Sequence, residues 1–325
     1  MRKIACVGYH STGAGVIDCL FREFDNVCQG EYEVEARMVQ DPDGISDLEY
    51  YLVENPHRLN SGFEIKRFKQ YVKKNNRSYT KIFGSDWKKI SYEYADSLAE
   101  FQFDGYWHGD IWLLNGWLQA YYLVRRGMAK LTPKKYRKPA WYNYFPWLKS
   151  YHVNLTEREF LKKTRLYIDK LSEEVNKKNT EYILLDQLVA PDQLERQCRY
   201  VNDLKVIVVD RDPRDVYIDQ MINGNHVLPK DPKEFAIAYR DARKTKVCDG
   251  CMYVNFEDLI YRYDESVKKI LDFVGIEKKH HIAPKSVFDP RISKKNTKQW
   301  ERYPEYNNAC NIIKRYLPDM LHQYE

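Results

Sequence analysis

The sequence predicts an α/β protein: a parallel sheet flanked by helices. A short apolar strand at residues 4–7 (IACV) runs through a glycine-containing turn into a helix-periodic stretch, 16–24 (VIDCLFREF). A nearly all-apolar run at 205–209 (KVIVV) reads as a strand buried on both faces. Strand-like and helix-like segments alternate between and after these two, which is the pattern of a parallel α/β sheet.

The elements follow in order. After the first strand–turn–helix, residues 34–39 read as a second strand ending at Asp41-Pro-Asp-Gly44, with helical stretches near 46–54 and 62–74. From about 79 to 151 the composition changes. Six of the seven Trp (87, 107, 112, 117, 141 and 147) fall there among Tyr, Lys and Arg, and this stretch is expected to form a helical insertion or cap. Residues 156–176 form a long amphipathic helix, 182–190 (YILLDQLVA) a strand, and 205–209 a central strand. Residues 235–245 and 266–274 read as helices, with a strand at 252–256 between them. The sheet pattern resumes after the insertion, so residues 1–325 are expected to form a single domain.

At 325 residues, 43% hydrophobic and 31% charged, the chain can bury a large core, and wholesale disorder is excluded. The net charge of +6 suits an anionic partner. The basic residues are dispersed where a nucleic-acid binder concentrates them in one stripe, so no nucleic acid is expected. Seven scattered cysteines, with no leader or apolar run of spanning length, predict a reduced, cytoplasmic protein. Cys248-Asp-Gly-Cys251 lacks the second ligand pair of a zinc site, and no metal is expected.

Two constellations carry chemistry. The first, Gly8-Tyr-His-Ser-Thr-Gly13-Ala-Gly15, has the spacing of a phosphate-binding loop, in which main-chain N–H groups converge on an anion at a helix start. A nucleotide kinase would continue with Lys and Ser/Thr; Ala14 and Gly15 stand there, which disfavours a magnesium-dependent phosphotransferase. A plain strand-to-helix turn is the competing reading. The second is KVIVVDRDPRDVYIDQM over 205–221, a buried strand delivering Arg211 and Arg214 at its carboxyl end, where open α/β sheets bind ligands. A surface salt-bridge cluster is its competitor.

The second segment resembles the 3′-phosphate-binding strand–turn–helix of sulfotransferases that use 3′-phosphoadenosine 5′-phosphosulfate (PAPS), a family with a P-loop NTPase-like fold. Residues 253–259 (YVNFEDL) and 293–304 (SKKNTKQWERYP) are similar to that family's later segments, and the glycine turn stands where it carries its phosphosulfate loop. The resemblance covers 4–24 and roughly 180–304. It implies that Arg211 binds the 3′-phosphate, with Asp219 where the family has a serine. It also implies that Tyr9, His10, Ser11, Thr12, Gly13, Ala14 and Gly15 hold the phosphosulfate and that Lys294 and Lys295 lie over the nucleotide. Ser11 replaces the family's loop lysine, for which Lys66 is a candidate substitute.

A sulfuryl transferase also needs a base for the acceptor's proton. Asp186, near the carboxyl end of a buried strand, is the first candidate, and His108, in a glycine-flanked segment, is the second. Trp and Tyr rings in the insertion suit a glycan acceptor, because flat rings stack on sugar faces. The mixture of cations and aromatic rings over 134–151 matches an interfacial segment, so a lipid-linked glycan and peripheral membrane contact are expected. A relative that binds nucleotide or glycan without catalysis is the remaining reading.

Overall fold

The computed structural model describes residues 1–31, 34–57, 59–136, 148–224, 227–244 and 249–324. In chain order its main elements are β1 (Arg2–Gly8), α1 (Gly15–Phe21), β2 (Val27–Gln29), α2 (Ile45–Glu49), α3 (Gly62–Phe83), α4 (Trp87–Ser97), β3 (Phe101–Asp104), α5 (Gly116–Leu131), β4 (Lys149–His152) and α6 (Glu157–Val175). There follow β5 (Tyr182–Asp186), α7 (Leu194–Gln197), β6 (Leu204–Asp210), α8 (Pro213–Asn223), α9 (Pro232–Asp241), β7 (Cys251–Asn255), α10 (Phe256–Tyr261), α11 (Tyr263–Val274), α12 (Pro290–Ser293) and α13 (Asn307–Tyr316). The chain divides into two compact units, one of Met1–Gln40, Lys81–Phe83 and Ser172–Glu325, the other of Asp41–Thr80 and Gly84–Leu171.

The first unit is the predicted α/β sheet. Its strand order is β2-β5-β1-β6-β7, and every pairing is parallel. Residues 4–7 and 206–209 are buried without alternation, as expected of interior strands covered on both faces. On one face Ile4, Cys6, Ile207 and Val209 pack with Ile17 and Phe21 of α1 and Ile270 and Leu271 of α11. Each such large side chain contributes about 1.5–3 kcal/mol on leaving water. A second cluster joins α8, α9 and α13 through Val216, Phe235, Tyr239 and Ile313.

Two strand expectations are corrected. Residues 34–39 do not form a strand: Arg37–Val39 is a 3-10 turn, and Val27–Gln29 takes the sheet edge beside β5. The Gln40 amide donates to Arg37 O at 2.9 Å, a bond three residues back along the chain that an extended strand does not make. The Ala36 amide donates to the Asp186 carbonyl at 2.7 Å, so this segment crosses the end of β5. The strand expected over 182–190 stops at Asp186, because Gln187 stands in the left-handed region at φ 54° and donates its amide to Cys6 O.

The second unit contains most of the tryptophan-rich stretch. Tyr94 stacks on Tyr167 at 4.2 Å, and Phe68 meets both rings edge-on. Their polar ends are satisfied inside: Tyr94 Oη lies 2.8 Å from Thr164 Oγ1, and Tyr167 Oη 2.7 Å from Ser91 Oγ. Much of the aromatic excess is therefore core packing between α3, α4 and α6. Strands β3 and β4 pair antiparallel.

Candidate functional site

The glycine turn closes on itself. Thr12 donates both its amide and its hydroxyl to Tyr9 O, at 3.2 and 2.8 Å, and is buried. Its hydroxyl is thus engaged by the loop's own backbone. Gly13 adopts φ +84°, and a Cβ there would lie 2.7 Å from the Phe256 ring. Among the described residues the amides of Ser11, Gly13, Ala14 and Gly15 have no protein acceptor, and nothing lies within 4 Å of where a Gly15 Cβ would stand. Helix α1 is only seven residues long, so an anion here would be held mainly by these amides.

At the carboxyl end of β6, Arg211 is buried. Its Nη1 donates to Ser11 O at 2.8 Å and its Nη2 to Asn296 O at 2.6 Å, tying the glycine turn to the late basic segment. The Asp219 carboxylate, which stands where the resembled family has a serine, lies 3.8 Å from Arg211 Nη1. Arg214 is held by both oxygens of Asp212 and lies 3.7 Å over the Trp300 ring, which makes it a structural strut. Buried Asp215 accepts the amides of Lys298 and Gln299 at 3.0 and 2.7 Å and so fixes the late segment on α8.

A cavity of about 620 Å³ opens over the turn, lined by Gly8–Gly15 together with Glu35, Arg37, Gln40, Gln187, Asp192 and Arg243. A smaller one of about 330 Å³ shares Tyr9 and Arg243 and adds Arg211, Tyr253, Asn255 and His322. Arg243 borders both, with its guanidinium 4.0 Å from the Tyr9 ring and bonded to both oxygens of Asp210. Burial opposes its charge, and the bonds to Asp210 more than restore it. Nothing in the local sequence pattern marks Glu35, Arg37 or Arg243 as site residues. Reading 34–39 as a strand hid the first two, and Arg243 sits among ordinary helix-end cations.

Two solved structures similar to this chain are sulfotransferase domains. One is from the curacin biosynthetic pathway (10% identity, 100% of this chain and 99% of that chain, TM-score 0.39). The other is from the Synechococcus PCC 7002 olefin synthase (11% identity, 100% and 96%, TM-score 0.41). Likenesses this low carry nothing about function. No family model and no curated protein matches the sequence. The loop amides without protein acceptors, beside a cavity at the end of a parallel sheet, can hold an anion.

The remaining candidates fall as follows. Asp186 accepts from Cys6 Sγ at 3.1 Å, and burial, reinforced by Asp18 and Glu35, pushes its carboxyl up to about 6. It is not among the residues lining the larger cavity, although Gln187 is. His10 lines that cavity with the rest of the turn. Lys294 and Lys295 are exposed, with Lys294 Nζ 5.7 Å from the Tyr261 ring. Lys66 and His108 belong to the second unit: Lys66 pairs with buried Asp110, and exposed His108 lies against Trp107. Cys248 lies outside the described residues; Cys251 is disulfide-bonded, a departure from the expectation of reduced thiols. Among the described residues no group of three or more His, Cys, Asp or Glu could hold a metal ion.

Proposed function

We propose that the chain transfers a sulfuryl group from PAPS to a hydroxyl of a glycan or glycoconjugate. The observation that supports this best is Arg211 bridging Ser11 and Asn296, which draws three of the four family-like segments together beside loop amides that lack protein acceptors. In the reaction the bond from sulfur to the donor's 5′-phosphate oxygen breaks, sulfur bonds to the acceptor oxygen, and the hydroxyl proton passes to a base. The loop amides would hold the phosphosulfate, with Arg37 and Arg243 supplying positive charge in place of the absent loop lysine. Glu35, a carboxylate lining the cavity, is the proposed base, ahead of Asp186. The glycan acceptor rests on the wealth of Trp and Tyr over residues 79–151, whose flat rings suit sugar faces.

Calorimetry with 3′-phosphoadenosine 5′-phosphate on the full chain tests the donor. Binding that is lost in Gly13→Asp is expected; heats indistinguishable from buffer would remove the donor assignment. A non-catalytic nucleotide-binding relative is the second reading, favoured by Asp219 lying 3.8 Å from Arg211 Nη1. Tight nucleotide binding with no sulfate release or transfer from PAPS to any offered hydroxyl would support it.

A further inference from the structure

Helix α5 (Gly116–Leu131) carries a continuous apolar stripe on its outer side. Trp117, Tyr121, Val124, Met128 and Leu131 recur at the four–three spacing that places side chains on one helix face. Their exposures are 88, 47, 60, 63 and 87%. Tyr122, on the side away from the stripe, is buried, and its hydroxyl accepts from Arg126 one turn further along the same helix at 3.2 Å. A soluble surface rarely leaves so many large apolar side chains in a row, and such a row marks a contact face.

The charge around the stripe identifies what covers it. Residues 111–156 contain no Asp or Glu against eight Lys and Arg, in a chain that has 47 acidic residues overall. Arg125 flanks the stripe, its guanidinium 5.5 Å from the Tyr121 ring, and Lys134 and Lys135 follow the helix in an exposed 3-10 turn. Apolar residues led by an interfacial Trp, cationic neighbours and no acidic ones suit a surface that is apolar in depth and anionic at its boundary. No helix among the described residues is long and apolar enough to cross a membrane, so the contact would be in the plane of the interface.

We propose that α5 is a membrane-surface helix that lays its Trp117–Leu131 stripe into the headgroup region of an anionic bilayer, whatever reaction the first unit performs. The test is co-sedimentation of the full chain with phosphatidylcholine vesicles, with and without phosphatidylserine, alongside tryptophan emission. Binding that requires phosphatidylserine, weakens with added salt, and falls at least about tenfold in Trp117→Ser/Leu131→Ser is expected, because burial of two large apolar side chains is lost. Both positions are exposed, so an unchanged Tm will show that the variant folds. Three outcomes would overturn the proposal: no vesicle binding, binding undiminished in the variant, or sedimentation equilibrium showing a dimer that the variant abolishes. The last would assign the stripe to a second copy of the chain.

Discussion

At Gly13 the left-handed backbone and the nearby Phe256 ring leave no room for a side chain. Gly13→Ala must twist the loop or displace the ring, at a cost of roughly 1–3 kcal/mol. A lower Tm is expected, with a larger proportional loss of 3′-phosphoadenosine 5′-phosphate affinity, because the amides that would face the anion move with the loop. The base assignment is decided by two substitutions. Glu35→Gln is expected to lower kcat for PAPS turnover by about 10²–10⁴ with nucleotide affinity retained. Asp186→Asn, whose side chain faces Cys6, is expected to keep most of the activity. The reverse result would return the role to Asp186, and the acid limb of the pH–rate profile near its raised value of about 6 would then vanish in Asp186→Asn.

Among the elements, α8 carries more of the proposed site than its helical pattern announces. Its first turn holds Asp215, whose carboxylate accepts two amides of the late segment, while Arg211 immediately before the helix grips Asn296. Asp215→Ala leaves the buried Gln299 amide without an acceptor, at a cost of about 1–3 kcal/mol, and frees the half-buried Lys298 amide as well. The segment carrying Lys294 and Lys295 should then loosen, and nucleotide affinity should fall about tenfold or more while the sheet persists. Proteolysis near residue 298 and calorimetry read the two effects separately. The segment at 34–39 makes the complementary point. Its composition suits a strand, yet β5 already has an edge partner in β2, so the chain folds across the strand end and brings Glu35 and Arg37 to the cavity.

Across the whole molecule, buried carboxylates set the pH response. Burial pushes Glu257 up to about 8, with one oxygen accepting Asp212 N and the other without a partner, and pushes Asp215 up to about 6. An acid with a raised folded value binds more protons folded than unfolded, so stability falls as pH climbs from the ordinary carboxylate range to the raised value. His322, lowered chiefly by burial, works in the opposite sense below about 6.5. Between about pH 6.5 and 8 Glu257 therefore dominates, and Tm should decline there by an amount on the order of 1–3 kcal/mol in stability. Glu257→Gln should flatten that decline; an unchanged slope would show that Glu257 is ionised in the folded protein.

The sequence by itself determined the class of fold, because interior parallel strands need unbroken apolar runs and the stretches at 4–7 and 205–209 could satisfy nothing else. It also determined the tight turn, because Gly13 permits a left-handed backbone that other residues resist and Gly8 leaves room for the Thr12 hydroxyl. Which side chains share the cavity was decided only by tertiary structure. Glu35, Arg37 and Arg243 are ordinary surface types in sequence, and they meet the turn through sheet-edge competition and helix packing over long separations. The same holds for Arg211: its sequence context announces a cation at a strand end, and only the folded chain commits that cation to the carbonyls of Ser11 and Asn296. Local pattern encodes what one element needs from its own neighbours along the chain, whereas a site is assembled from elements whose spacing in space no local pattern records.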